Sequence, residues 1–157
     1  MNKVYTDTRG FTLIEAIAVL IVLGIVAIVA IPRFADPVAD VIAEEDKFRT
    51  YIRHAQSLAM SSIIVWVVIF ISFNYFLFRD GDVTNDVAMP GEDSSTVSLA
   101  GGVTISPAGI VAFDSWGRPY TNAAGTSLQA DAQRTITLSK GGTSRAITIT
   151  QNTGFIP

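Results

Sequence analysis

From Phe11 to Ile31 the chain runs 21 residues in which only Thr12 and Glu15 are polar. Wound as a helix, that run measures about 31 Å at about 1.5 Å per residue, enough for a hydrocarbon core of about 30 Å. Pro32 and Pro37 follow. Each lacks a backbone donor and disfavours helix at the residue before it, which predicts a kink or loosened turn there. Asp36-Pro37 also reads as a helix cap and first helical residue. Beyond it Val38, Val41, Ile42, Phe48, Ile52, Ala55 and Ala59 recur at helical spacings, predicting an amphipathic helix to about Ser61. Its apolar stripe should lie on a sheet, with Glu44, Glu45, Asp46 and Lys47 facing outward, and Glu45 and Arg49 pairing four residues apart. Residues 63–78 form a second apolar block of 16 residues, too short for the roughly 20 a span needs and rich in β-branched and aromatic residues. It predicts strands at about 63–71 and 73–79, or one strand bent near Ser72, ending in the turn Arg79-Asp80-Gly81-Asp82. Residues 103–105 and 110–113 predict a tight hairpin about Ser106-Pro107-Ala108-Gly109. Residues 134–139 and 145–150 alternate cleanly around Lys140 to Ser144 and predict a second hairpin. Residues 85–95 and 120–133 read as surface loops. The fold class is α+β, a long N-terminal helix packed on an antiparallel sheet.

Lys3 and Arg9 precede the first apolar run, which places the short N-terminal piece in the cytoplasm and the remainder across the membrane. A cleaved secretory signal fits poorly. The run is too long, and its end, Ile28-Val29-Ala30-Ile31-Pro32, has no small residue two before Ala30. Glu15 is the second difficulty for such a signal. A carboxylate within the bilayer is costly, so Glu15 either reaches the headgroups from near the helix end or has a function there.

Gly10-Phe11-Thr12-Leu13-Ile14-Glu15, after a short basic leader and before an apolar helix, resembles the processing motif of type IV prepilins and pseudopilins. The resemblance implies cleavage between Gly10 and Phe11 by prepilin peptidase, N-methylation of Phe11, and pairing of Glu15 with the Phe11 amine of a neighbouring subunit. Cleavage before the apolar run leaves an ammonium at the edge of the hydrocarbon, where two opposite charges offset each other's cost. The implied partners are other pilin or pseudopilin subunits, prepilin peptidase, an inner-membrane assembly platform, and lipid before assembly. The implied organisation is a leader (1–10), a transmembrane and assembly helix (11–31), its amphipathic continuation (32–61) and a β-sheet head (62–157). Glu44 to Lys47 would then face solvent or neighbouring subunits.

Phe113-Asp114-Ser115-Trp116-Gly117-Arg118-Pro119-Tyr120 and the closing Ile147–Thr150 with Thr153-Gly154-Phe155 resemble segments of minor pilins, those of the mannose-sensitive haemagglutinin pilus among them. Arg53-His54-Ala55-Gln56-Ser57-Leu58-Ala59 resembles a helix pattern of the minor pseudopilins of type II secretion. The resemblance thus implies a minor pilin for surface attachment, with a secretion pseudopilin or a DNA-uptake pilin as alternatives. Many pilins close a loop with a disulfide, and this chain has no Cys.

Composition narrows the chemistry. Charged residues are 16% of the chain and hydrophobic ones 49%, well away from the roughly 25% charge of an ordinary soluble domain. With no Cys and only His54, thiolate and multi-histidine metal centres are excluded, and His54 has no assigned role. No nucleophile set, phosphate loop or GxSxG is present, so neither enzymatic activity nor a cofactor is expected. Asp80, Asp82 and Asp86, with Asn85, Glu92 and Asp93 nearby, offer oxygen ligands for Ca²⁺, but the spacing is not that of an EF-hand and a solvated acidic turn is the preferred reading. Residues 36–93 carry ten acids and four bases, a net of −6, whereas residues 117–157 carry Arg118, Arg134, Lys140 and Arg145 against Asp131, a net of +3. That asymmetry suits complementarity with the next subunit better than contact with nucleic acid, since four dispersed bases make a weak phosphate site. Trp116 and Tyr120 read as turn or core residues rather than base-stacking platforms.

Overall fold

Thr12 has the hydroxyl and the position to start a helix. Its Oγ1 accepts the Glu15 N–H at 3.3 Å, and its carbonyl accepts the Ala16 N–H at 3.1 Å. The computed structural model describes residues 12–30 and 37–157. Gly10, Phe11 and Pro32 lie outside them. The chain divides into two compact units, Met1–Asp36 and Pro37–Pro157.

In the first unit α1 spans Leu13–Ala30, with Glu15 in its first turn. At 18 residues it is about 27 Å long, with Thr12 before it as the cap; Phe11 and Ile31 of the apolar run lie outside the described residues. Among the described residues, no helix is long and apolar enough to cross a membrane. Leu13, Ile14, Leu20, Val22, Ile25 and Ile28, which point in different directions around the axis, are all exposed. A helix apolar all round needs an apolar environment on every side.

The second unit begins with α2, Pro37–Ser61, whose first residue is the helix-starting proline. No glycine or proline interrupts it. Its last turn is closed by hydroxyls, since Ser61 Oγ and Ser62 Oγ donate to the Leu58 carbonyl at 3.0 and 2.7 Å. The buried stripe is Val41, Glu44, Glu45, Phe48, Tyr51, Ile52, Ala55 and Ala59. This corrects the expected stripe at two places. Val38 and Ile42 are 46% and 38% exposed, and Glu44 and Glu45, expected to face outward, are buried at 6% and 2%. Position 45 continues the spacing from Val41 to Phe48, and position 42 falls about 100° away from it. Geometry therefore places a carboxylate in the stripe, and cations of the sheet meet it there.

Two antiparallel sheets pack on α2, where one had been expected. The first holds β1 (Trp66–Ile71), β2 (Asn74–Arg79), β3 (Asp86–Val87), β4 (Thr96–Ser98), β6 (Gly109–Phe113) and β7 (Pro119–Tyr120), in the order β3-β2-β1-β6-β7 with β4 also on β2. The second holds β5 (Thr104–Ser106), β8 (Gln133–Lys140) and β9 (Thr143–Thr150), in the order β5-β8-β9. The apolar block is a hairpin, pairing Ile71 with Asn74 across Ser72-Phe73. Phe48 packs on Phe70 and Tyr75 with ring centroids 5.7 and 4.9 Å apart. On the opposite face Val67, Phe78, Ala112 and Tyr120 form a second cluster. β1 and β2 are thus apolar on both faces, which is why they read as a nearly continuous run.

The expected hairpin at 103–113 does not form. β5 pairs with β8 and β6 with β1, so Ser106-Pro107 is where the chain leaves one sheet for the other. β1 needs a second apolar neighbour, and β6 supplies one through Val68↔Val111. The hairpin at 134–150 forms as expected with a tighter turn, Lys140 facing Thr143 across Gly141-Gly142. Both glycines have positive φ, 55° and 85°, the backbone that a two-residue hairpin turn demands. The expected loop at 85–95 holds the two-residue strand β3, and the one at 120–133 overlaps β7 at Tyr120 and β8 at Gln133.

Candidate functional site

Glu15 stands three residues after Thr12, the spacing of a capping box, and its N–H is the donor that Thr12 Oγ1 satisfies. The stem of its side chain, with Ala18, Val19, Val22 and Leu23 on the same helix face, lines a shallow apolar groove along α1. An acid at this end also complements the positive end of the helix dipole. The cleavage pair Gly10 and Phe11, and Pro32, fall outside the described residues. Pro37 is the first residue of α2.

In the second unit the segments singled out by resemblance come together. Asp114 organises the turn of the 113–120 segment. Its Oδ1 accepts the Trp116 and Arg118 N–H groups at 3.0 and 2.9 Å, and its Oδ2 accepts Arg118 Nε at 2.8 Å and the Tyr120 hydroxyl at 3.1 Å. Burial alone would raise the Asp114 carboxyl, but the bonds from Arg118, Trp116 and Tyr120 overrule it and hold it below the usual carboxylate range. Those bonds present Trp116 to solvent, 78% exposed. Gln56 Nε2 reaches the carbonyls of Gly117, Thr153 and Gly154 at 3.0, 3.2 and 3.1 Å. Arg53 Nη2 donates to the Ile156 carbonyl at 2.8 Å. The helix pattern 53–59 therefore joins the 113–120 turn to the chain's closing turn. His54 is half-buried and takes no part in this junction.

The basic residues of the C-terminal segment meet the acids of α2 within the same unit. Lys140 pairs with Asp40, and Arg145 Nε donates to Glu45 Oε2 at 2.9 Å. Glu45 also holds Arg49, the expected pair four residues apart. Arg118 pairs with Asp114. Arg134 donates to the Ile110 carbonyl and lies over the Phe70 ring at 5.5 Å, and burial lowers its guanidinium below the usual range. The charge asymmetry seen along the chain is thus matched inside the head, where complementarity between subunits had been expected.

Asp80, Asp82 and Asp86 do not converge. Asp80 and Gly81 take positive φ in the turn after β2. Asp82 Oδ1 accepts the Thr84 N–H and hydroxyl at 2.9 and 2.7 Å, bonds that lower its carboxyl, and Asp86 accepts the Ser95 hydroxyl. Among the described residues no group of three metal-ligating side chains comes together. Asp82 and Asp86 thus spend their oxygens on hydroxyl and backbone donors in and beside the turn after β2.

Tyr51 and Tyr75 were missed. The Tyr51 hydroxyl donates to Glu92 Oε1 at 2.7 Å, and Lys47 Nζ lies 2.7 Å from the same oxygen. Burial, that hydrogen bond and the charges of Glu92 and Glu44 push the Tyr51 phenol up to about 12, and burial raises that of Tyr75 as well. The bonds from Lys47 and Tyr51 lower the Glu92 carboxyl. The spacing of Tyr51, three residues after Phe48, was the available signal.

Residues 6–31 match the family described as the prokaryotic N-terminal methylation motif. No curated protein and no solved structure matches the chain. The matched stretch covers residues 6–9, the Gly10–Glu15 motif and the apolar run to Ile31, and supports a type IV pilin-like or pseudopilin protein processed by prepilin peptidase.

Proposed function

We propose that the chain is a structural subunit rather than an enzyme: a minor type IV pilin of the mannose-sensitive haemagglutinin kind. In this reading it waits in the inner membrane with its N-terminus cytoplasmic and its head periplasmic. It is cut between Gly10 and Phe11, methylated at Phe11 and drawn into a pilus used for attachment. The observation that carries the reading is the methylation motif over residues 6–31, running into a helix that is apolar on every side and has a single acid in its first turn. An apolar helix leaves lipid readily when identical helices replace it, and Glu15 gives the exchange a charge to match. Support for the minor-pilin subtype comes from the junction at Gln56, where the two segments resembling minor pilins meet.

Mass spectrometry of the mature protein tests the reading. The expected first residue is a methylated phenylalanine, and an intact starting methionine would refute it. Gly10→Ala should leave the leader attached. Glu15→Gln should leave cleavage intact and abolish incorporation into filaments. A secretion pseudopilin is the second reading, favoured by the helix pattern from Arg53 to Ala59. Loss of secretion without loss of attachment on deletion would select it.

A further inference from the structure

β9 is the outermost strand of its sheet, and its register settles which of its backbone groups are unpaired. Lys140 and Thr143 close a two-residue turn and exchange both hydrogen bonds, so Thr143, Arg145, Ile147 and Ile149 bond to β8. Gln151 continues that series, donating to the Ala132 carbonyl at 2.9 Å. The alternate residues, Ser144, Ala146, Thr148 and Thr150, turn N–H and C=O to the open side. Thr150 is closed there by the returning chain: its N–H donates to Phe155 and its carbonyl accepts from Gly154, both at 2.9 Å. Ser144, Ala146 and Thr148 have no such partner among the described residues.

Other strand edges are short or covered. β3, β4, β5 and β7 have two or three residues each, the Ile105 N–H on β5 is taken by the Ser72 carbonyl, and the Ile110 carbonyl on β6 by Arg134. β9 has eight residues and neither lysine, proline nor bulge, the usual guards of an edge. Its arginine turns to the α2 side and is held by Glu45.

We propose that this edge pairs antiparallel with the β9 edge of a second copy of the chain, about a two-fold axis at Ala146. The strand is self-complementary in that register. Ala146 faces Ala146 of the partner subunit, and Ser144 faces Thr148 of the partner subunit, so all three open residues exchange two main-chain hydrogen bonds with small side chains opposed. Arg145 faces Ile147 of the partner subunit, so no like charges stand opposite. Centring on Thr148 would run into the closed Thr150, and centring on Ser144 would run past Gly142. An incoming strand needs several open residues of its own, and among the described elements only β9 offers them. The pairing would extend the three-stranded sheet to six strands.

The chain contains no Cys, so single cysteines report the register directly. The full-length chain carrying Ala146→Cys is oxidised in its native membranes. Hydrogen-bonded antiparallel residues lie about 5.5 Å apart between Cα atoms, within the range of a disulfide. Ala146→Cys should form a disulfide dimer at least tenfold faster than Thr135→Cys, which lies exposed on β8. Ser144→Cys and Thr148→Cys, differently tagged and co-expressed, should link to each other and not to themselves. Linking of Ala146→Cys no faster than the β8 control, self-linking of Thr148→Cys in its place, or a disulfide to a different protein would each overturn the proposal.

Discussion

Glu45 shows how one residue can defy its immediate neighbourhood in sequence. It stands among Glu44, Asp46 and Lys47, a charged run that reads as a solvated face, yet it is 2% exposed and holds Arg49 and Arg145 on its two oxygens. A buried carboxylate between two cations tolerates loss badly, because its removal leaves the cations facing each other. Glu45→Gln should destabilise the protein by about 2 kcal/mol, below the roughly 3–5 of a fully buried pair because both arginines reach solvent. Asp46→Ala, whose side chain is 65% exposed, should stay within about 0.5 kcal/mol. Urea unfolding of the two variants checks the contrast. Asp114 makes a second prediction at this scale. Its carboxyl is held below the ordinary value in the folded chain, so the unfolded chain takes up the proton first on acidification. The stabilisation is full above the unfolded carboxyl's value near 4 and is lost as pH falls through the native one. Between pH 6 and pH 3 the stability of Asp114→Asn should fall less steeply than that of the parent, as read by urea midpoints at each pH.

At the scale of elements, α2 and the hairpins show which patterns are self-sufficient. The helix from Pro37 to Ser61 and the strands around Gly141-Gly142 were legible because periodicity and a turn signal lay in the same short stretch. The hairpin expected at 103–113 had both signals and still failed, since β5 and β6 each found a better partner elsewhere. Choice of strand partner is a contest across the whole chain, and a turn with arms of three and four residues has little pairing energy with which to win it. The closing turn extends the same lesson. Nothing local to Gly154 says that its Cα approaches another backbone, yet a Cβ there would lie 2.2 Å from the Gly117 carbonyl oxygen. Gly154→Ala should therefore cost about 3 kcal/mol or more and loosen the 113–120 turn. Gly142→Ala, at φ 85° but with nothing within 4 Å of its Cβ, should cost only the backbone strain of about 1–2 kcal/mol. Thermal unfolding distinguishes them, and the two glycines falling together would mean that the Gln56 junction is loose.

For the molecule as a whole, the N-terminal motif and the fold of the second unit were legible to different degrees because they rest on different physics. Glu15 and its apolar flanks announce themselves in sequence, since a carboxylate beside about 20 apolar residues is rare unless it is used. The charge pairs of the head were hidden, because they join residues 100 positions apart, as in Asp40–Lys140 and Glu45–Arg145. The core of the second unit runs from Val41 to Ile156. Two sheets on one helix, with a cluster on the outer face of the larger sheet, give this unit a core of its own. A fragment comprising residues 37–157 should then be soluble and unfold in urea in one cooperative step. Its midpoint should match that of the full chain in detergent within about 0.3 M, the shift expected if α1 adds no buried area to the transition. Far-ultraviolet and tryptophan signals should coincide through that step, Trp66 being buried in the core and Trp116 exposed on the Asp114 turn. A broad transition, or binding of an apolar dye by the fragment at neutral pH, would mean that the head needs the N-terminal helix to pack and that the two units are one folding body.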